Sequence, residues 1–118
     1  MTDISELIAK MEAATEGSRE LDGPIYRSHV EKPDAYWARN DWWPCEVTFC
    51  KRFNVPHYTT SLDAKLSWES IVRVECLRDS VGTVYWSAHH QVSEDEVVIG
   101  HGNNEILARR IAALKARQ

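Results

Sequence analysis

Apolar positions along the chain fall into a few short patterns of different period. Over residues 3–16 Ile4, Leu7, Ile8, Met11 and Ala14 recur three and four apart, the spacing of one helical face. Asp3 is placed to cap this helix with Glu6 three residues on, and Gly17 reads as its stop. "SRELDG" reads as a second short helix ending at Gly23-Pro24. "EVTFCKRF" alternates Val47 and Phe49 against Thr48 and Cys50, which predicts a strand. "YTTSLDAKLSWESIVRV" predicts a helix capped by Thr60 or Ser61, with Asp63 in its first turn, running to about Ile71 and giving way to a strand.

"GTVYWSAHHQV" is the clearest strand. Val84, Trp86, Ala88 and His90 point one way, and Tyr85, Ser87 and His89 the other. "EVVIG" follows across the polar turn Ser93-Glu94-Asp95, so the two strands form an antiparallel hairpin. The closing helix begins after Asn103 or Asn104. Leu107, Ile111 and Leu114 share its buried face, Arg110 and Arg117 lie on the stripe beside it, and Arg109 points away. Grouped elements of this kind predict an α+β sandwich, an antiparallel sheet packed with N-terminal, middle and C-terminal helices.

At 118 residues the chain has the length of one domain, 1–118, within which 33–57 is a Trp-rich irregular segment. Eighteen acids against fourteen bases give a net charge of −4, which argues against gripping a nucleic-acid duplex, since each phosphate contact needs a neutralising cation. The apolar runs are too short for a membrane span, and the acidic start has no basic leader region. With no export signal, Cys45, Cys50 and Cys76 read as reduced thiols, which places the protein in a cytosol.

Candidate chemistry concentrates near the C-terminus. Gly100-His101-Gly102-Asn103-Asn104 at a strand-to-helix junction offers N–H groups to an anion. It lacks the third glycine of a dinucleotide loop, however, and Glu105 in the first turn would repel phosphate. The glycines read instead as a tight strand exit and the asparagines as a cap. His89 and His90 face opposite sides of a strand, and C-x4-C-x6-H through Cys45, Cys50 and His57 fits no common zinc pattern, so no metal site is assigned. Ser87 and His89 share a face roughly 7 Å apart, too far for a nucleophile–base pair. Nothing singles out a catalytic carboxylate among Asp22, Asp34, Asp41, Glu69 and Glu75. No catalytic residue and no cofactor are assigned. The aromatic surplus, five tryptophans, suits either a stacking surface or a small core plugged with rings.

Three segments, "DISELIAKMEAATEGSRELD", "VPHYTTSLDAKLSW" and "HGNNEILARRIAALKARQ", occur in an order that resembles small phage and prophage proteins of the phage ABA-sandwich type. The Trp-rich stretch 33–53 and Arg109-Arg110 depart from that pattern. The resemblance, extended by analogy to Thoeris anti-defence sponges of comparable size, implies a phage-encoded protein of the bacterial cytosol. Such a protein would form a homo-oligomer and sequester a nucleotide-derived immune signal, cyclic ADP-ribose-like or a cyclic oligonucleotide, without cleaving it. The implied ligand-binding residues are Arg110, Arg109, Trp86, Asn103, Asn104 and His101. Two other functions compete with this one: a protein-binding inhibitor acting through Trp42 and Trp43, and a metal-dependent hydrolase built on His89, His90 and His101.

Overall fold

The computed structural model describes residues 3–33, 36–37 and 43–118. Its architecture is α+β. Among the described residues four helices, α1 (Ile4–Ala13), α2 (Arg19–His29), α3 (Glu46–Arg52) and α4 (Glu105–Lys115), accompany β1 (Ile71–Arg78), β2 (Val84–Ser93) and β3 (Glu96–Gly102). The strands form one antiparallel sheet in the order β1-β2-β3. No described helix is long and apolar enough to cross a membrane.

Helix α1 forms where its periodicity predicts, with the Asp3 carboxylate accepting from the Ser5 N–H at 2.9 Å. It ends at Ala13, short of Gly17, whose lack of a Cβ instead lets the chain press against the Thr59 carbonyl. Helix α2 runs through Pro24 rather than stopping there. An interior proline costs a helix about 3 kcal/mol. Full burial of Leu21 and Ile25, at roughly 1.5–3 kcal/mol each, outweighs that. The predicted strand over "EVTFCKRF" is α3 instead. Phe49 and Cys50 are buried in the helical layer, Glu46 opens the helix and Lys51-Arg52 close it, the charge order that the helix dipole favours.

The predicted helix over 60–71 is absent. Residues 54–70 form a connector of consecutive turns, entered through Asn54 in the left-handed region (φ 51°), and only then does β1 begin. Side chains from two helices hold the connector. Arg110 of α4 donates to the carbonyls of Tyr58 (2.8 Å), Ser61 (2.9 Å) and Leu62 (2.9 Å), and to Glu69 Oε2 (2.7 Å). Asp22 of α2 accepts from the Thr59 N–H (2.9 Å) and hydroxyl (2.7 Å), while Arg19 donates to the carbonyls of Val55 and Pro56. In a helix those carbonyls would point along one axis toward N–H groups four residues on. Here they converge on a guanidinium.

The sheet packs on α4 through small residues. Gly102 ends β3, as the expected strand exit, and Gly100 lies two residues inside it. A Cβ on Gly100 would stand 2.4 Å from the Ala112 nitrogen, and one on Gly102 would stand 2.7 Å from that of Ala108. The glycines therefore let a helix lie directly on a strand, and Ala88, Ala108 and Ala112 complete the seam. On its other side α4 sends Leu107, Ile111 and Leu114 into the main core with Leu7, Ile8, Met11, Ile25, Trp37 and Phe49. The opposite face of the sheet bears Leu77, Tyr85, Ser87, His89, Val97, Ile99 and His101, with Val97 and Ile99 exposed at 43% and 42%.

Candidate functional site

The six residues expected to bind a ligand do not form one site. Arg110 has 0% exposure, and its guanidinium is spent on Glu69 and the connector. Burial pushes Glu69 up and Arg110 down, against their mutual attraction. Desolvation thus takes back much of what the pair contributes, and its effect is to fix the connector's path. Arg109, on the outer side of α4, pairs with Glu105 at 3.0 Å. Trp86 lies against the alanine seam under α4. Asn104 caps α4, accepting from the Leu107 N–H at 2.9 Å. Asn103 gives its amide to the Ala14 carbonyl at 2.6 Å. Only His101 and Asn103 come together, in a shallow hollow of about 460 Å³ beside Tyr85; that hollow also holds Glu12 and Asp79 and contains no Arg or Lys.

The other sequence candidates are also dispersed. His90 is buried on the α4 side of the sheet, where its Nε2 accepts from the Ser70 N–H at 3.0 Å, while His89 and His101 lie on the open face. Among the described residues no three His, Cys, Asp or Glu side chains could hold a metal ion. Asp22 and Glu69 are both buried partners of arginines. Trp42, Asp34 and Asp41 lie outside the described residues. Trp43 packs its ring 4.9 Å from Phe49 rather than standing out as an exposed anchor. Cys45, exposed at the start of α3, has its thiol pKa lowered by the Thr48 N–H and hydroxyl, whereas burial raises that of Cys50.

The most organised concavity lies elsewhere, between the end of α2, the connector and the end of α4. It encloses about 270 Å³ and is lined by Ile4, Ser28, His29, Val30, Glu31, Trp68, Leu114 and Arg117. Trp68 is its fixed element. Its Nε1 donates to the Ala113 carbonyl at 2.7 Å, and the His29 ring meets it edge-on at 5.4 Å. The Arg117 guanidinium lies 4.3 Å over the Trp68 ring, with no carboxylate partner among the described residues. A guanidinium stacked this way keeps its N–H edge free for a bidentate anion.

His29 is the neutral wall of this cleft. Its Nδ1 sits 2.8 Å from the Ile25 carbonyl, which can only accept, so Nδ1 carries the proton. Nε2 then accepts from the Tyr58 hydroxyl at 3.3 Å. Burial, and secondarily the charge of Arg117, lower the His29 pKa against the opposing Ile25 bond. Burial also pushes Tyr58 up to about 12, so it keeps its proton to donate. A larger hollow of about 720 Å³ between α1, α2 and α3 is more open; Glu16, Glu20 and Glu46 outnumber Lys10 and Arg27 along it, and no aromatic ring floors it.

The sequence placed Arg117 on the right stripe but did not connect it with His29 and Trp68. The apolar spacing Leu21–Ile25 continues across Pro24 and carries α2 on to His29. Trp68 was hidden by the helical look of 60–71. No family model, curated protein or solved structure matches the chain, so the cleft is interpreted from its own chemistry.

Proposed function

We propose that the protein is a non-catalytic binding domain that captures a small anionic, ring-bearing ligand in the Trp68–Arg117–His29 cleft. This keeps the sequestration role expected from the sequence and moves it to different residues. The observation that carries it is Arg117, stacked on a rigid tryptophan at the mouth of a cavity and with no ion-pair partner among the described residues. The volume bounds the ligand. About 270 Å³ lies just under the range that encloses drug-sized molecules, which favours a mononucleotide-sized group over a cyclic oligonucleotide. Both His29 ring nitrogens are already engaged, Nδ1 with the Ile25 carbonyl and Nε2 with the Tyr58 hydroxyl, which favours binding without cleavage.

Calorimetric titration with nucleoside monophosphates, ADP-ribose and cyclic ADP-ribose tests the reading. Arg117→Ala is expected to weaken binding at least tenfold with an unchanged thermal midpoint, and heating should release intact ligand. Wild-type affinity in Arg117→Ala, or release of a cleaved product, would overturn it. Arg110→Ala cannot serve as this test, because that side chain holds the fold.

The exposed Val97 and Ile99, with His89 beside Ile99 on the neighbouring strand, favour a second reading in which that end of the open sheet face docks a protein, a second copy of this chain being the first to try. Sedimentation that shows a dimer in wild type and a monomer in Ile99→Lys would support it. A monomer in both would remove self-association.

A further inference from the structure

Arg117 shares its cleft with an opposite charge. Glu31, in the segment that leaves α2, lines the same cavity, and neither residue has an ion-pair partner among the described residues. Between them the wall is uncharged: Ile4, Leu114, Trp68 and a neutral His29. Among the described residues the cavity therefore has one cation and one anion without ion-pair partners, and an uncharged wall that carries the Trp68 and His29 rings together with Ser28 and aliphatic side chains. A carboxylate accepts hydrogen bonds and donates none, so at a binding site it attracts N–H and O–H groups and repels phosphoryl oxygens. Selectivity of this kind rests as much on the ligands repelled as on those attracted.

Resting on the cleft assignment above, we propose that Glu31 is the specificity-determining residue of this site. It admits ligands that carry a single anionic group at one end and a hydrogen-bond donor, a vicinal diol or an exocyclic amine, at the other, and it excludes compact polyanions. The Arg117 edge holds the anion, the interior takes the flat ring, and the Glu31 carboxylate accepts from the donor. A nucleoside monophosphate meets all three requirements; inorganic phosphate and pyrophosphate meet only the first and place added negative charge within reach of Glu31.

Titrating the full chain with adenosine monophosphate, adenosine, inorganic phosphate and pyrophosphate tests this in wild type, Glu31→Gln and Arg117→Ala. Glu31 is exposed, so its replacement leaves the fold intact, which circular dichroism checks. Glu31→Gln is expected to weaken adenosine monophosphate about threefold and tighten pyrophosphate about threefold, narrowing their ratio about tenfold. An unchanged ratio in Glu31→Gln, together with lost binding in Arg117→Ala, would overturn the role of Glu31 and leave the cleft standing. Wild-type binding in Arg117→Ala, or no binding of any probe to wild type at millimolar concentration, would overturn both.

Discussion

The sheet with α4 and the connector 54–70 are held by opposite means. In the sheet half the backbone bonds to itself along two antiparallel ladders, and α4 sits so close to β3 that only glycines and alanines fit between them. In the connector local turns satisfy part of the backbone, and charged side chains from α2 and α4 reach across to hold the carbonyls of Val55, Pro56, Tyr58, Ser61 and Leu62. The first kind of region is specified by period and residue size, and the second by a few long side chains whose targets are far away in sequence. Arg110 and Arg117 show the difference on one helix. They are two turns apart, yet Arg110 is an internal strut and Arg117 stands over Trp68 at a cleft.

The largest expected effect comes from removing the strut. Arg110→Ala deletes the donors to three carbonyls and leaves Glu69 buried without its cation, a loss of about 3–5 kcal/mol for a broken buried pair. That is a large share of the roughly 5–15 kcal/mol that holds a domain together. Urea denaturation gives the magnitude, and hydrogen exchange gives the location. Amides of 58–69 should lose protection first while β2 and β3 keep theirs. Uniform loss across the chain would mean the two regions are one cooperative unit. Gly100→Ala attacks the other half. The new methyl meets backbone, which cannot rotate away, so α4 must lift from β3 at about 1–3 kcal/mol. Here protection should fall along β3 and α4 and persist in the connector. Gly82→Ala is the control: its Cβ would meet nothing within 4 Å, and only the cost of a positive φ, about 1–2 kcal/mol, remains.

This contrast also explains which parts were legible in the sequence. The β2–β3 hairpin, α1 and α4 follow from alternation and 3.6-residue periodicity, and Asn104 caps as its position predicts. The α+β class follows from them. Where local pattern and distant contacts disagreed, the distant contacts prevailed. Thr60 to Ile71 has helix-like spacing, but Arg110 claims its carbonyls; residues 46–52 alternate like a strand, but Phe49 and Cys50 find their partners in the helical layer. The candidate site inherits the same limit. Arg109, Arg110, Trp86 and Asn104 were chosen by residue type, and each is committed to a local structural role. His29, Trp68 and Arg117 are 39 or more residues apart and meet only because α2 continues past Pro24 and the connector turns back under α4.

The smallest expected effect lies where the connector, α2 and the cleft meet, at His29. Its folded pKa lies below the unfolded value of about 6.5, chiefly because burial disfavours the imidazolium and Arg117 repels it. A depressed folded pKa means that folding favours the neutral ring. The associated stability is present above the unfolded pKa and is lost as pH falls through the folded one. Protonation also demands a rearrangement: Nε2 becomes a donor, and the Tyr58 hydroxyl proton must turn away. The Nδ1–Ile25 bond survives in both states. Thermal midpoints measured from pH 7.5 down to pH 5 should therefore fall more steeply for wild type than for His29→Gln, in which this group no longer titrates. The carboxylates common to both proteins cancel in the difference. Parallel pH profiles would show that His29 is solvated well enough to titrate freely, and the cleft would then lose its neutral wall.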